Sequence, residues 1–230
     1  MLPLFPLGTV LYPGALLPLH IFEERYRRLV RDLLALPDGP RRFGVVTIKA
    51  GREVGADGVT ALHEIGCTAE LRRVEACDDG RFDIIASGAR RFRLLHVDAS
   101  EPLEGEVELL DEDRTDRAAG LSAAVGRLFT VYREALLTAQ GLSIDEPPDL
   151  PTDDPVGLSS VIAAAMVLDL SDKQSLLAAP TADDRLSLEI ALLRRESSIV
   201  SRLATRPAVE LPGSPITRTE RAVQPSSSWT

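Results

Sequence analysis

Lysine is nearly missing from this 230-residue chain: Lys49 and Lys173 stand alone among 26 basic residues. Neither follows a Gly-x-x-x-x-Gly pattern, which excludes the phosphate loop of a nucleotide hydrolase, where a lysine must close a glycine-rich turn. Gly51, Gly55 and Gly58 with Asp57 form only a loop or short hairpin, with no Gly-Lys-Ser/Thr after them. Cysteine is as scarce. Cys67 and Cys77 are separated by a predicted strand and not by a two-residue metal knuckle, so they read as small buried thiols of a reduced, cytoplasmic protein. Aromatic residues make up 4% of the chain, so aliphatic side chains must fill the core. The longest apolar run, residues 161–168, is far short of the ~20 residues of a membrane helix. No basic region opens the chain and prolines break its start, which argues against a signal peptide.

The three histidines, His20, His63 and His96, are predicted on three different strands and show no i, i+4 pairing, so they read as structural positions and not as metal ligands or a triad. Charge is uneven. Residues 1–98 hold 14 basic and 13 acidic side chains, net +1, whereas residues 99–230 hold 12 and 22, net −10. The dense acidic stretch 101–116 lacks the spaced Asp/Asn-Gly loop of a calcium site and reads as solvated surface. An acidic chain does not collect phosphate backbones by charge. Arg90, Arg91 and Arg93 around Phe92 therefore read as a strand with Phe92 inward and Arg91 and Arg93 outward, pairing with acids such as Glu70 and Glu75.

Prolines at positions 3, 6, 13 and 18 cut the opening into short apolar strands suited to sheet edges, with Pro13-Gly14 as a turn. From Phe22 the period becomes helical, with Tyr26, Leu29, Val30, Leu33 and Leu34 on one face. Residues 43–48 predict a buried strand, 62–76 and 82–97 two long strands joined at Asp78-Asp79-Gly80, and 106–110 a last one. Gly88 marks a bulge or corner. Leu121 to Leu137 carry helical spacing, 141–155 is a proline-rich acidic linker, 156–170 a central buried helix, and Ser171-Asp172 precedes a short helix. Thr181 caps a final helix, and from Pro207 apolar periodicity ends.

Leu4-Phe5-Pro6-Leu7, Pro13-Gly14 and Pro18-Leu19-His20-Ile21-Phe22-Glu23 with Arg25-Tyr26 resemble the opening of the N-terminal substrate-recognition domain of the Lon proteases. His63-Glu64-Ile65-Gly66 and Asp79-Gly80-Arg81 through Gly88 to Arg91-Phe92-Arg93 agree with that pattern. The departures are Glu24, where proline is usual, and Tyr12, often Phe. The resemblance is specific over residues 1–110 and continues more loosely to 204. It implies an α+β chain: a PUA-like β-barrel over 1–114, a helical bundle over 115–206 and a flexible tail over 207–230.

A full-length Lon protease also needs a Ser-Lys peptidase dyad. Lys173 lies near Ser171 and Ser175, but there serine caps a helix start and lysine is solvated. With both engines absent, the resemblance implies a non-enzymatic module in proteolysis or quality control, without catalytic, cofactor or metal residues. Its expected partners are protein or peptide segments, with a protease as a further candidate, and neither nucleic acid nor membrane. Two other readings stay open: an enzyme with a small-molecule pocket between barrel and helices, and a PUA-like RNA binder, which the acidity disfavours. The expected polypeptide-binding residues are Leu11, Tyr12, Leu16 and Leu17, which give the Pro13-Gly14 turn more apolar area than a turn needs. The competing reading places them in the core beneath the barrel.

Overall fold

A computed structural model describes residues 1–37, 39–51, 59–98, 100–112, 117–142 and 148–204. Seven strands come first: β1 (Leu2–Leu7), β2 (Leu16–Ile21), β3 (Arg42–Gly51), β4 (Val59–Leu62), β5 (Ile65–Ala76), β6 (Phe82–Asp98) and β7 (Glu104–Leu109), with α1 (Glu24–Ala35) between β2 and β3. Four helices follow: α2 (Ala118–Ala139), α3 (Pro155–Ala165), α4 (Leu170–Ala178) and α5 (Ala182–Ala204). The expected α+β class is the observed one. The linker residues 143–147, the glycine loop 52–58 and the tail from 205 lie outside the described residues.

The strand order β1-β7-β6-β5-β3-β4, together with a β1–β3 pairing, closes five strands into a ring. Among the described residues only the β1–β3 pairing is parallel. β1 ladders with β7 through Leu2 and Pro3 and with β3 through Leu4 to Leu7, so each of its prolines sits where one edge alone is paired. Inside the ring lie Leu4, Val46 and Phe92. Glycine makes room for them: a Cβ on Gly66 would stand 2.5 Å from the Phe92 ring. Helix α1 covers the outer side through Tyr26, Leu29, Val30 and Leu33, and Tyr26 stacks on Phe5 with ring centres 3.9 Å apart. Leu34, expected on that face, is exposed.

Four other expectations are corrected. The strand expected from residue 62 is two, β4 and β5, and His63 lies between them. The helix expected over 156–170 stops at Ala165, and α4 starts five residues on, capped by Asp169, whose Oδ1 accepts from the Asp172 amide at 2.8 Å. Thr181 does cap α5, accepting from the Asp184 amide at 3.1 Å. Arg91 is not outward-facing in solvent but 2% exposed, because the outer side of β6 is covered by the turn between α4 and α5. Glu70 pairs with Arg42 and Arg72, and Glu75 with Arg73, in place of the arginines of β6. Arg93 is exposed and pairs with Glu108.

Sheet and helices are joined by a polar seam. Arg91 donates to the carbonyls of Leu177 (2.8 Å), Ala179 (2.5 Å) and Pro180 (3.3 Å) and pairs with Glu112, which also holds Arg185. Gln174 donates to the Ile65 carbonyl at 2.9 Å, and the Tyr12 hydroxyl donates to the Lys173 carbonyl at 2.7 Å. Helix α4 is thereby stitched to the ring at two places, through Arg91 and Ile65, and to the turn before β2 at a third, through Tyr12. No helix among the described residues is long and apolar enough to cross a membrane.

Candidate functional site

The segment from Val10 to Ile21 sets the site. Tyr12, Pro13, Gly14 and Ala15 form a tight turn, with the Ala15 amide donating to the Tyr12 carbonyl at 3.1 Å and Gly14 at φ 79°. Proline fixes φ at the second turn position and glycine takes the positive φ at the third. The turn lies against β6 at Gly88: the Gly14 amide donates to the Gly88 carbonyl and the Gly88 amide to the Ala15 carbonyl, both at 2.9 Å. That approach requires glycine, since a Cβ on Gly88 would stand 2.0 Å from the Tyr12 oxygen.

The four residues expected at a binding surface separate here. Leu11 (3% exposed) and Tyr12 (1%) are buried, Leu11 beneath α1 and Tyr12 among the helices. The expectation that they lie in reach of a partner is thus corrected: the turn is pinned on both sides, and its apolar residues fill two cores. Leu17 is half-buried, facing inward on β2. Leu16 is 69% exposed.

Among the described residues strand β2 pairs with β6 alone, so its other edge carries no ladder there. Residues directly opposite one another share a face. Leu16 faces Ser87, Pro18 faces Ile85 and His20 faces Asp83. On the far side of β6, Arg73 faces Ile85 and Glu75 faces Asp83. The outer face therefore carries an apolar stripe of Leu16, Pro18 and Ile85 beside charged pairs. A groove of about 350 Å³ runs along it, lined by Pro18, Leu19, Ile84, Ile85 and the polar rim. Phe22, 49% exposed, stacks near His20 at its end.

Electrostatics hold that rim in place. His20 Nδ1 donates to Asp83 Oδ1 at 2.7 Å, and this bond keeps the Asp83 carboxyl below its usual range. Arg81 Nη1 donates to His20 Nε2 at 3.3 Å, and Cys77 Sγ lies 3.7 Å from Asp83 Oδ2. Burial, then the Asp83 and Asp79 charges, raise the Cys77 thiol, which leaves it a poor nucleophile. Sequence reasoning missed this cluster because it joins β2 to a hairpin 60 residues away in the chain.

Other concavities lie among the described residues, one of about 370 Å³ beside Leu2, Arg42, Arg90 and Val107 and two against the helices. A cleft of about 440 Å³ opens between the β4–β5 connection and α4, lined by Lys49, His63, Ser171, Gln174 and Ser175. Its serine hydroxyls donate to Asp169 Oδ1 and the Ser171 carbonyl, so both are used at the start of α4 and neither donates to His63. Burial, then Lys49, lower the His63 pKa. An apolar groove of about 420 Å³ lies between α2 and α3, with Phe129, Tyr132, Leu136, Leu150 and Val161. Among the described residues, no group of His, Cys, Asp or Glu is arranged to hold a metal.

The profile of the ATP-dependent protease La (LON) substrate-binding domain matches residues 1–195. The chain is similar to the Lon protease of Escherichia coli (strain K12), 28% identical over 211 residues that cover 86% of this chain and 25% of that protein. It is similar also to Lon protease 2 of Myxococcus xanthus, 25% identical over 211 residues, 87% of this chain and 24% of that one. The chain spans about a quarter of the length of the curated relatives it matches. Its fold is like the crystal structure of a Lon N-terminal domain protein from Xanthomonas campestris, with a TM-score of 0.60 at 26% identity over 83% of this chain and 96% of that one. The N-terminal domain of a Mycobacterium avium complex Lon protease agrees in fold, with a TM-score of 0.58 at 19% identity over 86% and 97% of the two chains.

Proposed function

The chain belongs to the ATP-dependent protease La (LON) substrate-binding domain family, and from that premise we propose that it recognises exposed or unfolded polypeptide segments, with the outer face of β2 and β6 as the contact surface. The observation that carries this reading is Leu16, 69% exposed on β2, the strand whose Pro18 and Leu19 line the groove and whose other edge carries no ladder among the described residues. An exposed leucine in that setting gains on the order of 1.5–3 kcal/mol when a partner covers it. Pro18 lies in the middle of β2 and has no amide hydrogen, so a continuous added strand is interrupted there. Recognition therefore rests on side-chain burial along the groove, which tolerates many sequences. The charged rim of His20, Asp83, Arg73 and Glu75 stays hydrated and limits how much surface any one client covers.

The module works without catalysis, as a substrate-binding or adaptor element in proteolysis or quality control. The test is anisotropy of a labelled, permanently unfolded polypeptide titrated with the chain, beside the same polypeptide in its folded form. Saturable binding of the unfolded form alone is expected, with neither ATP hydrolysis nor cleavage in the same sample. Equal binding of both forms, or of neither, would contradict the reading.

A further inference from the structure

Helix α3 carries no charged side chain from Pro155 to Ala165. A helix that is apolar all round belongs inside a protein. One side of α3 does lie there, with Leu158, Ile162 and Ala163 fully buried. The other side does not. Val161 is 43% exposed, Ala165 is exposed one turn later, and Val167, just past the helix, is 63% exposed. Val161 and Ala165, at i, i+4 spacing, form a single apolar strip. That strip is one wall of the groove of about 420 Å³, and Phe129, Leu136 and Leu137 of α2 are the other. Leu136, Leu137 and Leu150, which also lines the groove, stay only half-buried.

The course of α5 brings its end toward this groove. Helix α5 packs along α2. Near its start Arg185 pairs with Glu112, which precedes α2, and donates to Ser159 of α3. About three turns on, Arg195 pairs with Asp172 in the first turn of α4. The chain reaches α4 from Val167, whose amide donates to the Tyr132 hydroxyl at 3.1 Å. Helix α5 therefore runs in the same direction as α2 and passes its rear half, where Val200 still joins the core of Phe129 and Tyr132. Packed helices lie about 8–10 Å apart, axis to axis, a span that three extended residues cover.

Residues 205–230 follow α5, and their only leucine is Leu211, in Pro207-Ala-Val-Glu-Leu-Pro212. A proline at each end favours extended backbone over helix between them. In an extended segment alternate side chains share a side, so Val209 and Leu211 point together and Glu210 away. Four extended residues span about 13 Å, and the α2 stretch from Phe129 to Leu137 about 12 Å. We propose that the α2–α3 groove is the docking site of the chain's own residues 208–211, with Val209 and Leu211 seated against Val161, Leu136 and Leu150. Residues 205–207 bridge from the end of α5. Two apolar side chains bind poorly from solution, but a short tether gives them an effective concentration near the millimolar range. The docked segment closes this groove to other polypeptides, whether or not the face of β2 binds a client.

Leu211→Ser tests this in the full chain, since residue 211 lies beyond the last helix. Methyl NMR spectra of the native chain and the variant are expected to differ at Val161, Leu136 and Leu150 and to coincide at Leu16 and Leu19. A nitroxide on Ser214→Cys, in a Cys77→Ser background with buried Cys67 unlabelled, should broaden the same three methyls. That broadening should persist on dilution, and Leu211→Ser should lower the docked-to-free ratio about tenfold or more. Superimposable spectra, or groove methyls that stay sharp beside the nitroxide, would overturn the proposal. Broadening that fades on dilution would overturn it too, by assigning the groove to a second copy of the chain.

Discussion

The hydroxyl of Tyr12 reaches across 161 positions of the chain to the main-chain carbonyl of Lys173, at 2.7 Å. This bond fastens the turn between β1 and β2 to α4, and with the Tyr12 ring inside the helical core it fixes where β2 begins. The exposed face of β2 is therefore held by a buried anchor four residues before Leu16.

Tyr12→Ala empties a fully packed site and is expected to cost about 3–5 kcal/mol, while Tyr12→Phe loses only the hydrogen bond, about 0.5–1.5 kcal/mol. Denaturant unfolding read by far-UV circular dichroism separates them. Equal, small losses would mean that Tyr12 is not part of the core.

Arg91→Met leaves the Leu177, Ala179 and Pro180 carbonyls and Glu112 without their shared donor. Breaking a buried pair from one side costs about 3–5 kcal/mol. Arg93→Met, two residues away, removes an exposed pair with Glu108 and should cost no more than about 1 kcal/mol. Similar melting temperatures for the two variants would show that the seam contributes nothing.

Gly88→Ala puts a methyl 2.0 Å from the Tyr12 carbonyl oxygen and should destabilise by about 3 kcal/mol, the upper range for overpacking. Gly120→Ala, with nothing within 4 Å, should be neutral or stabilise α2 by up to about 1 kcal/mol. Thermal unfolding of the pair checks both signs.

The local structure was legible in the sequence. The helical spacing from Leu121 to Leu137, the Asp78-Asp79-Gly80 hairpin and the Pro13-Gly14 turn each depend on residues near one another in the chain. What faces an element from outside was not. Alternation correctly places Phe92 and Arg91 on opposite sides of β6, yet it says nothing of the α4–α5 turn that buries Arg91. The same limit applied to the candidate site: the apolar turn was visible, but not which of Leu11, Tyr12 and Leu16 the two cores would take. Glu189 lies on the helical stripe of Leu186 and Leu193 and is buried, although a charged side chain ordinarily takes the surface.

The two thiols should differ sharply. Cys67 is fully buried and its pKa is pushed up to about 12, first by desolvation. Cys77 is only half-buried, with its thiol also raised. A thiol reagent at pH 8 should label one cysteine, more slowly than a free thiol, and the second only on unfolding. Labelling of both in the native chain would contradict the packing of β5.

The account turns on Leu16, and one measurement tests it most directly: the affinity of Leu16→Ser for a labelled unfolded polypeptide, taken beside its melting temperature. Leu16 is 69% exposed, so the substitution should change stability by no more than about 0.5 kcal/mol. Loss of its burial against a client should weaken binding about tenfold or more. Unchanged affinity at an unchanged melting temperature would remove the outer face of β2 from the binding surface.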